Sequence, residues 1–448
     1  MLPCGGYPLT TNLIDLRSAQ ERAYLIGVDR DDPNNSWDMT DSLTELASLA
    51  RTAGAQVMGT TMQHLARPDP ATYLGKGKVA QVAEECQKLG VTVIIADDEL
   101  GPAQQRKLEE LVHCKVIDRT ALILDIFAQH AHTREGQLQV ELAQNEYRLP
   151  RLAGSQGQLS RLGGGSRGAS GGVGGAIGAR GPGETKLEID RRRVRARISE
   201  LRKEIELVRE QRTRQRTQRL AQAVPVVAVV GYTNAGKSTL FNALTNSDVL
   251  VEDKLFATLD PTTRHFILPS HQEILLTDTV GFIQKLPTTL IAAFRATLEE
   301  VNEADVLLEV VDITHENAME QSDTVQDVLR QLQAGDTPRV TALNKIDKLN
   351  DPASADCTLF PNAVAVSALN HTGFAALLEV VGRVVAATMD LVEVEIPFAR
   401  GDLVEIFHRR GRVRDETHTG TGTIISGFLP KVMRGTFRAF EIKASSGS

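Results

Sequence analysis

Chemistry in this chain of 448 residues is concentrated in a few short segments, of which the first is Gly231-Tyr232-Thr233-Asn234-Ala235-Gly236-Lys237-Ser238. The apolar run Val226–Val230 precedes it and a helix is expected from Thr239 onward, the strand–loop–helix context that a phosphate-binding loop requires. The glycines let the backbone wrap an anion with successive N–H groups pointing inward. Lys237 is then placed to neutralise β- and γ-phosphates, and the Ser238 hydroxyl to coordinate Mg2+. Downstream, Ile274-Leu275-Leu276 leads to Asp278-Thr279-Val280-Gly281. A carboxylate at that strand end suits the outer shell of Mg2+, and the Gly281 N–H suits a sensor of the γ-phosphate. Asn344-Lys345-Ile346-Asp347 follows the apolar stretch Val340–Leu343. The Asp347 carboxylate can accept both N1–H and the 2-amino group of guanine, a donor pair that adenine lacks. Ser367-Ala368-Leu369 would back the base through its backbone N–H groups. These segments, in this order, predict a GTPase that binds GTP and GDP with Mg2+ in a domain over residues 223–389.

The switch segment is expected between the first and second motifs, at Phe256-Ala257-Thr258-Leu259-Asp260, all counted as GTP-binding. Thr258 is the residue chosen to close over Mg2+ in the triphosphate state, with Thr262 and Thr263 as alternatives. Lys237, Thr258 and Gly281 form the expected catalytic set. Phe282 follows Gly281 where Ras-like enzymes place a water-orienting glutamine, and a phenyl ring cannot do that work. A low intrinsic rate follows, unless a partner or another group such as Gln284 supplies the function.

These motifs need elements to position them. From Asp41 to Leu142 the pattern alternates between helical and strand segments: helices over Ser42–Thr52, Lys78–Leu89 and Ala103–Val112, and strands over Gln56–Gln63, Val91–Ala96 and Lys115–Asp118. Such alternation implies a small parallel sheet covered by helices, assigned to 1–133 as an N-terminal α/β domain. Residues 1–35 carry no clear period. Over 134–222 two heptad seams face each other: Leu138, Leu142, Asn145, Leu149 and Leu152, then Leu187, Val194, Ile198, Leu201, Ile205 and Val208. The expectation is an antiparallel helical hairpin, kinked or ended early at Pro150, with a Gly-rich loop over 154–183. That loop holds 13 glycines and no acidic residue, so its Arg161, Arg167 and Arg180 could approach phosphates; a plain flexible linker is the competing reading. Lys186 to Arg219 holds 13 Lys and Arg against 6 Asp and Glu, in a chain whose net charge is −7. Concentrated cationic charge of this kind, including Arg191, Arg192 and Arg193, points to a polyanion, RNA above all. The tail, 390–448, reads as a small α+β domain with strands over Val392–Ile396, Thr421–Ser426 and Thr436–Lys443. The fold class is therefore multidomain α/β.

Four scattered cysteines without a C-x-x-C pair argue against disulfides or zinc and for a reducing compartment. The N-terminus does not read as a signal peptide, and no apolar stretch approaches the ~20 residues of a membrane span. A cytoplasmic monomer is expected.

Together the segments resemble the HflX family of ribosome-associated GTPases. The resemblance extends to Tyr73-Leu74-Gly75-Lys76-Gly77-Lys78 and to Arg180-Gly181-Pro182-Gly183-Glu184-Thr185-Lys186-Leu187-Glu188 followed by Asp190-Arg191-Arg192. It departs at Lys186, where Gln is expected, and in the extra Gly163–Gly175 stretch. The family resemblance implies binding to the large ribosomal subunit through ribosomal RNA and proteins, splitting of stalled ribosomes under stress, and partial membrane association through ribosomes. It also implies ATP binding by the N-terminal domain in some members; Leu74–Lys78 lacks a full P-loop, and a turn opening a helix is the plainer reading. By resemblance to potassium-stimulated GTPases, Asn234 would coordinate K+, against a residue that only shapes the loop. A GTP-regulated RNA-remodelling protein and a non-ribosomal signalling GTPase are the alternatives.

Overall fold

The computed structural model describes residues 20–30, 37–152, 182–222, 224–245, 255–256, 258–287, 300–351 and 355–442, with side chains described over 188–210 within 182–222. The N-terminal unit is built on strand β1 (Arg22–Asp29), helix α1 (Met39–Thr52), β2 (Gln56–His64), α2 (Lys76–Leu89), β3 (Val93–Ala96), α3 (Pro102–Val112), β4 (Lys115–Asp118) and α4 (Arg119–His130). The strands form a parallel sheet in the order β2-β1-β3-β4. β1 lies within the stretch that shows no period in sequence. Its inner six residues are all buried, and a strand covered on both faces needs an apolar run, so alternation is lost. Asp118 caps α4 by accepting the Ala121 N–H at 2.9 Å.

The hairpin pairs α5 (Arg134–Leu152) with α6 (Pro182–Gln222). Leu138, Leu142, Ile198, Leu201 and Ile205 form its buried seam, with Leu149, Val194 and Val208 at its edges. Arg134 pairs with Glu204 at 2.8 Å and Arg197 with Glu141 at 2.7 Å, a crossed order that makes the helices antiparallel. Pro150 sits inside α5 without ending it there. Pro182 and Gly183, assigned to the loop from sequence, belong to α6, whose first residue is Pro182; proline suits a first helical turn because its missing N–H would have no partner there. The remainder of the loop, with Arg161, Arg167 and Arg180, lies outside the described residues. The C-terminal end of α5 is fastened to the first unit: the Tyr147 hydroxyl and the Arg151 guanidinium both bond the Asp118 carboxylate, at 2.8 and 2.9 Å.

The third unit contains β5 (Val226–Gly231), α7 (Lys237–Thr245), β6 (Thr262–Ile267), β7 (Glu273–Asp278), β8 (Val306–Asp312), α8 (Ala318–Gln331), β9 (Arg339–Asn344), β10 (Ala363–Ala365) and α9 (Phe374–Ala387). Its sheet runs β10-β9-β8-β5-β7-β6, parallel except for β6. β5 has β8 on one side and β7 on the other, so the loop that leaves it opens at the switch point where such sheets bind ligands. One hydrophobic cluster joins the first and third units: it holds Leu25, Leu46 and Phe127 of the first and Tyr232, Phe256, Phe282 and Leu307 of the third.

The tail forms an antiparallel sheet β11-β13-β12 from β11 (Asp390–Pro397), β12 (Arg412–His418) and β13 (Gly422–Leu429), covered by α10 (Gly401–Arg410). The strand expected over Thr436–Lys443 is not found among the described residues: Arg434–Phe437 is a helical turn and Arg438–Phe440 a 3-10 turn, with a single bridge from Glu441 to Val394. Phe437, fully buried against Phe407, fastens those turns to the small core. The described residues contain no helix long and apolar enough to cross a membrane.

Candidate functional site

The loop between β5 and α7 is held from beneath by the other motifs. Asn344 donates from Nδ2 to the Ala235 carbonyl at 2.9 Å and accepts the Ala368 N–H at 3.0 Å. Lys345 donates to the Asn234 carbonyl at 2.8 Å and pairs with Asp312 at 2.7 Å. Ser367 donates its hydroxyl to Asp347 at 2.5 Å, leaving that carboxylate at an exposed position. Ile346 is buried, whereas Leu369 is 71% exposed. The phosphate-loop motif and the two base-reading motifs therefore form one hydrogen-bonded floor, with the Asp347 carboxylate at its edge.

The opposite wall is Asp278 at the end of β7. The Ser238 hydroxyl donates to Asp278 Oδ2 at 2.8 Å and lies 2.8 Å from the Thr258 hydroxyl, which reaches the same carboxylate oxygen at 3.2 Å. Asp278 Oδ1 is buried without a hydrogen-bond partner. Two hydroxyls and a carboxylate with an unused buried oxygen are hard oxygen donors, a set that fits Mg2+ when phosphate oxygens complete the shell. Of the two alternatives to Thr258, Thr263 bonds the Thr277 hydroxyl at 3.0 Å and Thr262 pairs with Asp278 along the ladder.

Lys237 is buried and donates to the Tyr232 carbonyl at 2.8 Å. Burial lowers its ammonium to about 8, opposed by the nearby Asp278 carboxylate. Burial likewise raises Asp278, opposed chiefly by Lys237. Both shifts have one cause, charged groups held away from water, and a phosphate beside Lys237 would favour the charged ammonium again. A Cβ on Gly281 would lie 2.8 Å from Lys237 Nζ and 3.0 Å from Thr233 Cα, so only glycine lets the backbone pass this close to the lysine. Thr279 donates to the Val229 carbonyl at 2.7 Å and Val280 is buried, which makes both scaffold for Gly281.

The segment read as the switch is not one ligand-facing surface. Among its described residues, Thr258 alone bonds Ser238 and Asp278. Phe256, at φ +60°, is buried edge-to-face against Phe127, with ring centroids 4.7 Å apart. Leu259 is 2% exposed. Asp260 accepts hydrogen bonds from His132 and Thr133 at the foot of α5. Ala257 lies outside the described residues. The side chains of Phe256, Leu259 and Asp260, counted as GTP-binding from sequence, therefore serve contact with the first unit, because that unit covers the segment.

That cover is the part of the site which sequence reasoning missed. The Tyr232 hydroxyl donates to Glu45 of α1 and accepts the Gln284 N–H at 2.9 Å, while its ring stacks on Trp37 at 5.9 Å. The Tyr232 phenol is raised above its usual range by burial, with Glu45 adding to the effect. Phe282 is fully buried, and its backbone bonds the loop, N–H to Gly231 at 3.0 Å and carbonyl from Thr233 at 2.7 Å. Lys285 reaches Asp97, and Asp98 at 3.1 Å; Asp97 also takes Arg119 at 2.8 Å. Burial alone would raise the Asp97 carboxyl, but Arg119 and Lys285 outweigh it and hold the group below its ordinary value. None of Trp37, Glu45, Asp97 and Arg119 stands in a motif, and only the fold brings them here. Of the six arginines expected to meet RNA, Arg192 and Arg193 are exposed on α6, Arg191 is half-buried, and Arg161, Arg167 and Arg180 lie outside the described residues.

Comparison with known proteins agrees with this architecture. Residues 40–128 match the family described as GTP-binding GTPase N-terminal, 130–219 the GTP-binding GTPase middle region, and 226–345 the 50S ribosome-binding GTPase family. GTPase HflX of Caldanaerobacter subterraneus subsp. tengcongensis is 44% identical over 96% of this chain and 95% of its own. GTPase HflX of Escherichia coli is 39% identical over 92% and 94%. A GTP-binding protein from Sulfolobus solfataricus in complex with GDP is 23% identical, covering 82% of this chain and 99% of that one at a TM-score of 0.42. With identity at this level along nearly the whole of both chains, the protein belongs to the HflX family of GTPases and is itself a P-loop GTPase.

Proposed function

We propose that this GTPase binds Mg2+ with GTP and couples hydrolysis to the large ribosomal subunit, splitting or rescuing stalled ribosomes under stress. The observation that carries the reading is the attachment of the arginine-rich hairpin to the nucleotide unit: α6 leads into β5 and the foot of α5 bonds Asp260, two residues from Thr258. In this reading the units 1–133, 134–222, 223–389 and 390–448 are separate domains. The loop N–H groups of Gly231 to Ser238 and the Lys237 ammonium hold the phosphates. Asp347 reads guanine, with Ser367 and Ala368 behind the base. Ser238 and Thr258 would ligate Mg2+ and Asp278 would orient its shell; the ion would neutralise charge developing between β- and γ-oxygens. The Gly281 N–H donates to the γ-phosphate. Phe282, buried, leaves the attacking water without the usual amide, so turnover is slow until a bound partner completes the site. Asn234, at φ +60° in the loop, is the residue that would take K+ in place of an arginine finger; equal rates in K+ and Na+ at matched ionic strength remove that element.

Cosedimentation with purified ribosomal subunits, with a non-hydrolysable GTP analogue, with GDP and without nucleotide, tests the coupling. Binding to the large subunit that is strongest with the analogue is expected. Binding that ignores the nucleotide, or prefers free RNA to subunits, points instead to a GTP-regulated RNA-remodelling protein.

A further inference from the structure

Asp260 lies two positions beyond Thr258, and its carboxylate is fully engaged away from the phosphate loop. Oδ2 accepts the backbone N–H of His132 at 2.9 Å and of Thr133 at 2.8 Å, and Oδ1 accepts the Thr133 hydroxyl at 2.5 Å. Thr133 immediately precedes α5 and caps it: its hydroxyl accepts the Gly136 N–H at 3.0 Å and its carbonyl the Gln137 N–H at 3.0 Å. The anion of Asp260 therefore sits on the open N–H end of the first hairpin helix, where the helix dipole favours negative charge. Gly136 permits the approach, since a Cβ there would stand 2.6 Å from Asp260 Oδ1. At the other end of the same short segment, Thr258 is 2.8 Å from the Ser238 hydroxyl. Two residues of chain span at most roughly 7 Å, so the foot of the hairpin and the hydroxyl beside Asp278 are tied by a short tether.

We propose that Asp260 is a positioning residue that makes the placement of Thr258 and the seating of the hairpin a single conformational variable. Withdrawal of Thr258 from Ser238 and Asp278 draws the Asp260 carboxylate off Thr133 and frees the foot of α5. Conversely, a surface that pulls on the hairpin displaces Thr258, because a coupling between two sites acts equally in both directions. This rests on the reading of Thr258 as the residue that responds to the γ-phosphate. It adds the atoms through which that response would leave the nucleotide site.

Amide hydrogen exchange at His132, Thr133 and Gly136, measured with GDP and with a non-hydrolysable GTP analogue, tests the link without any ribosome present. In the native protein and in Thr133→Ser, which keeps the hydroxyl, the two nucleotides should give exchange rates differing by about tenfold, the size of a lost charge-assisted hydrogen bond. Thr133→Val should keep its GTP affinity within about twofold yet lose that difference at Gly136, whose N–H no longer has the hydroxyl acceptor, while the His132 and Thr133 amides keep Asp260 and the difference. Gly136→Ala, which crowds the carboxylate off its partners, should lose it at His132 and Thr133. Nucleotide-independent exchange at these amides in the native protein overturns the proposal. So does a difference of native size at Gly136 in Thr133→Val, or at His132 and Thr133 in Gly136→Ala. Failed cosedimentation with ribosomal subunits, alongside an intact exchange response, sinks the ribosome reading alone.

Discussion

In the proposed reading, Asp347 is the residue on which nucleotide choice turns. Its carboxylate is fixed by the Ser367 hydroxyl at 2.5 Å and lies at an exposed edge, where it can accept two donors from a purine. Asp347→Asn exchanges an acceptor for a donor, so it should weaken GTP binding and improve xanthosine triphosphate binding. Removing a charge-assisted pair of bonds is worth about 1.5–3 kcal/mol, a preference shift of about tenfold or more. Competition binding with the two triphosphates measures it, and an unchanged preference for GTP would rule Asp347 out as the base reader. Asn344 illustrates the opposite case: its amide is spent on Ala235 and Ala368, so it holds the loop and the base-backing segment together.

Among the elements, α6 carries both a packing face and a charged one. Leu201 is fully buried in the seam, whereas Arg192 and Arg193 point to solvent and Arg193 is 3.9 Å from Asp190. Exposed ion pairs of that length contribute little to stability, so replacing Arg191, Arg192 and Arg193 by Ala should leave the fold and basal hydrolysis intact. If the face binds RNA, the triple variant should lose most of the ribosome-stimulated rate. Its binding should also show a shallower salt dependence, by up to about two to three in the log–log slope. Basal and stimulated rates falling together would mean that the arginines serve the fold; neither falling would remove α6 as the RNA contact.

For the molecule as a whole, the decisive feature is that the first unit and the nucleotide unit share a core and a buried ionic cluster. Arg119 is 1% exposed between Asp97 and Glu45, and Lys285 reaches Asp97 from the nucleotide unit. Arg119→Leu removes the buried cation shared by two carboxylates, leaving Asp97 to Lys285 alone and Glu45 with no cation, and should cost about 3 kcal/mol, the lower end of the penalty for breaking a buried pair on one side. Urea unfolding reads this directly, and a loss below about 1 kcal/mol would mean that water already reaches the cluster. The sign of the pH effect follows from Asp97. Its carboxyl is lowered in the folded protein, so its contribution is present above the ordinary carboxylate range and is lost as pH falls through its folded value. The variant should accordingly lose part of the acid-side slope of stability.

What the sequence by itself determined are the features written in contiguous or periodic residues. Gly231 to Ser238, Asp278 to Gly281 and Asn344 to Asp347 are local strings whose chemistry depends on their own backbone, and the hairpin seam repeats at heptad spacing, so both are legible one segment at a time. Most strands and helices of the first unit were readable in the same way. β1 was not, because burial on both faces erased its period, and the tail was not, where a strand was expected over Thr436–Lys443 and helical turns over Arg434–Phe440 instead bury Phe437 in the small core. Only the tertiary structure decided that Glu45 meets Tyr232 across 187 residues, Lys285 meets Asp97 across 188, and Asp260 meets His132 across 128. A side chain whose partner lies that far along the chain leaves no spacing signal, and for that reason Phe256, Leu259 and Asp260 read as nucleotide ligands until the first unit is seen covering them.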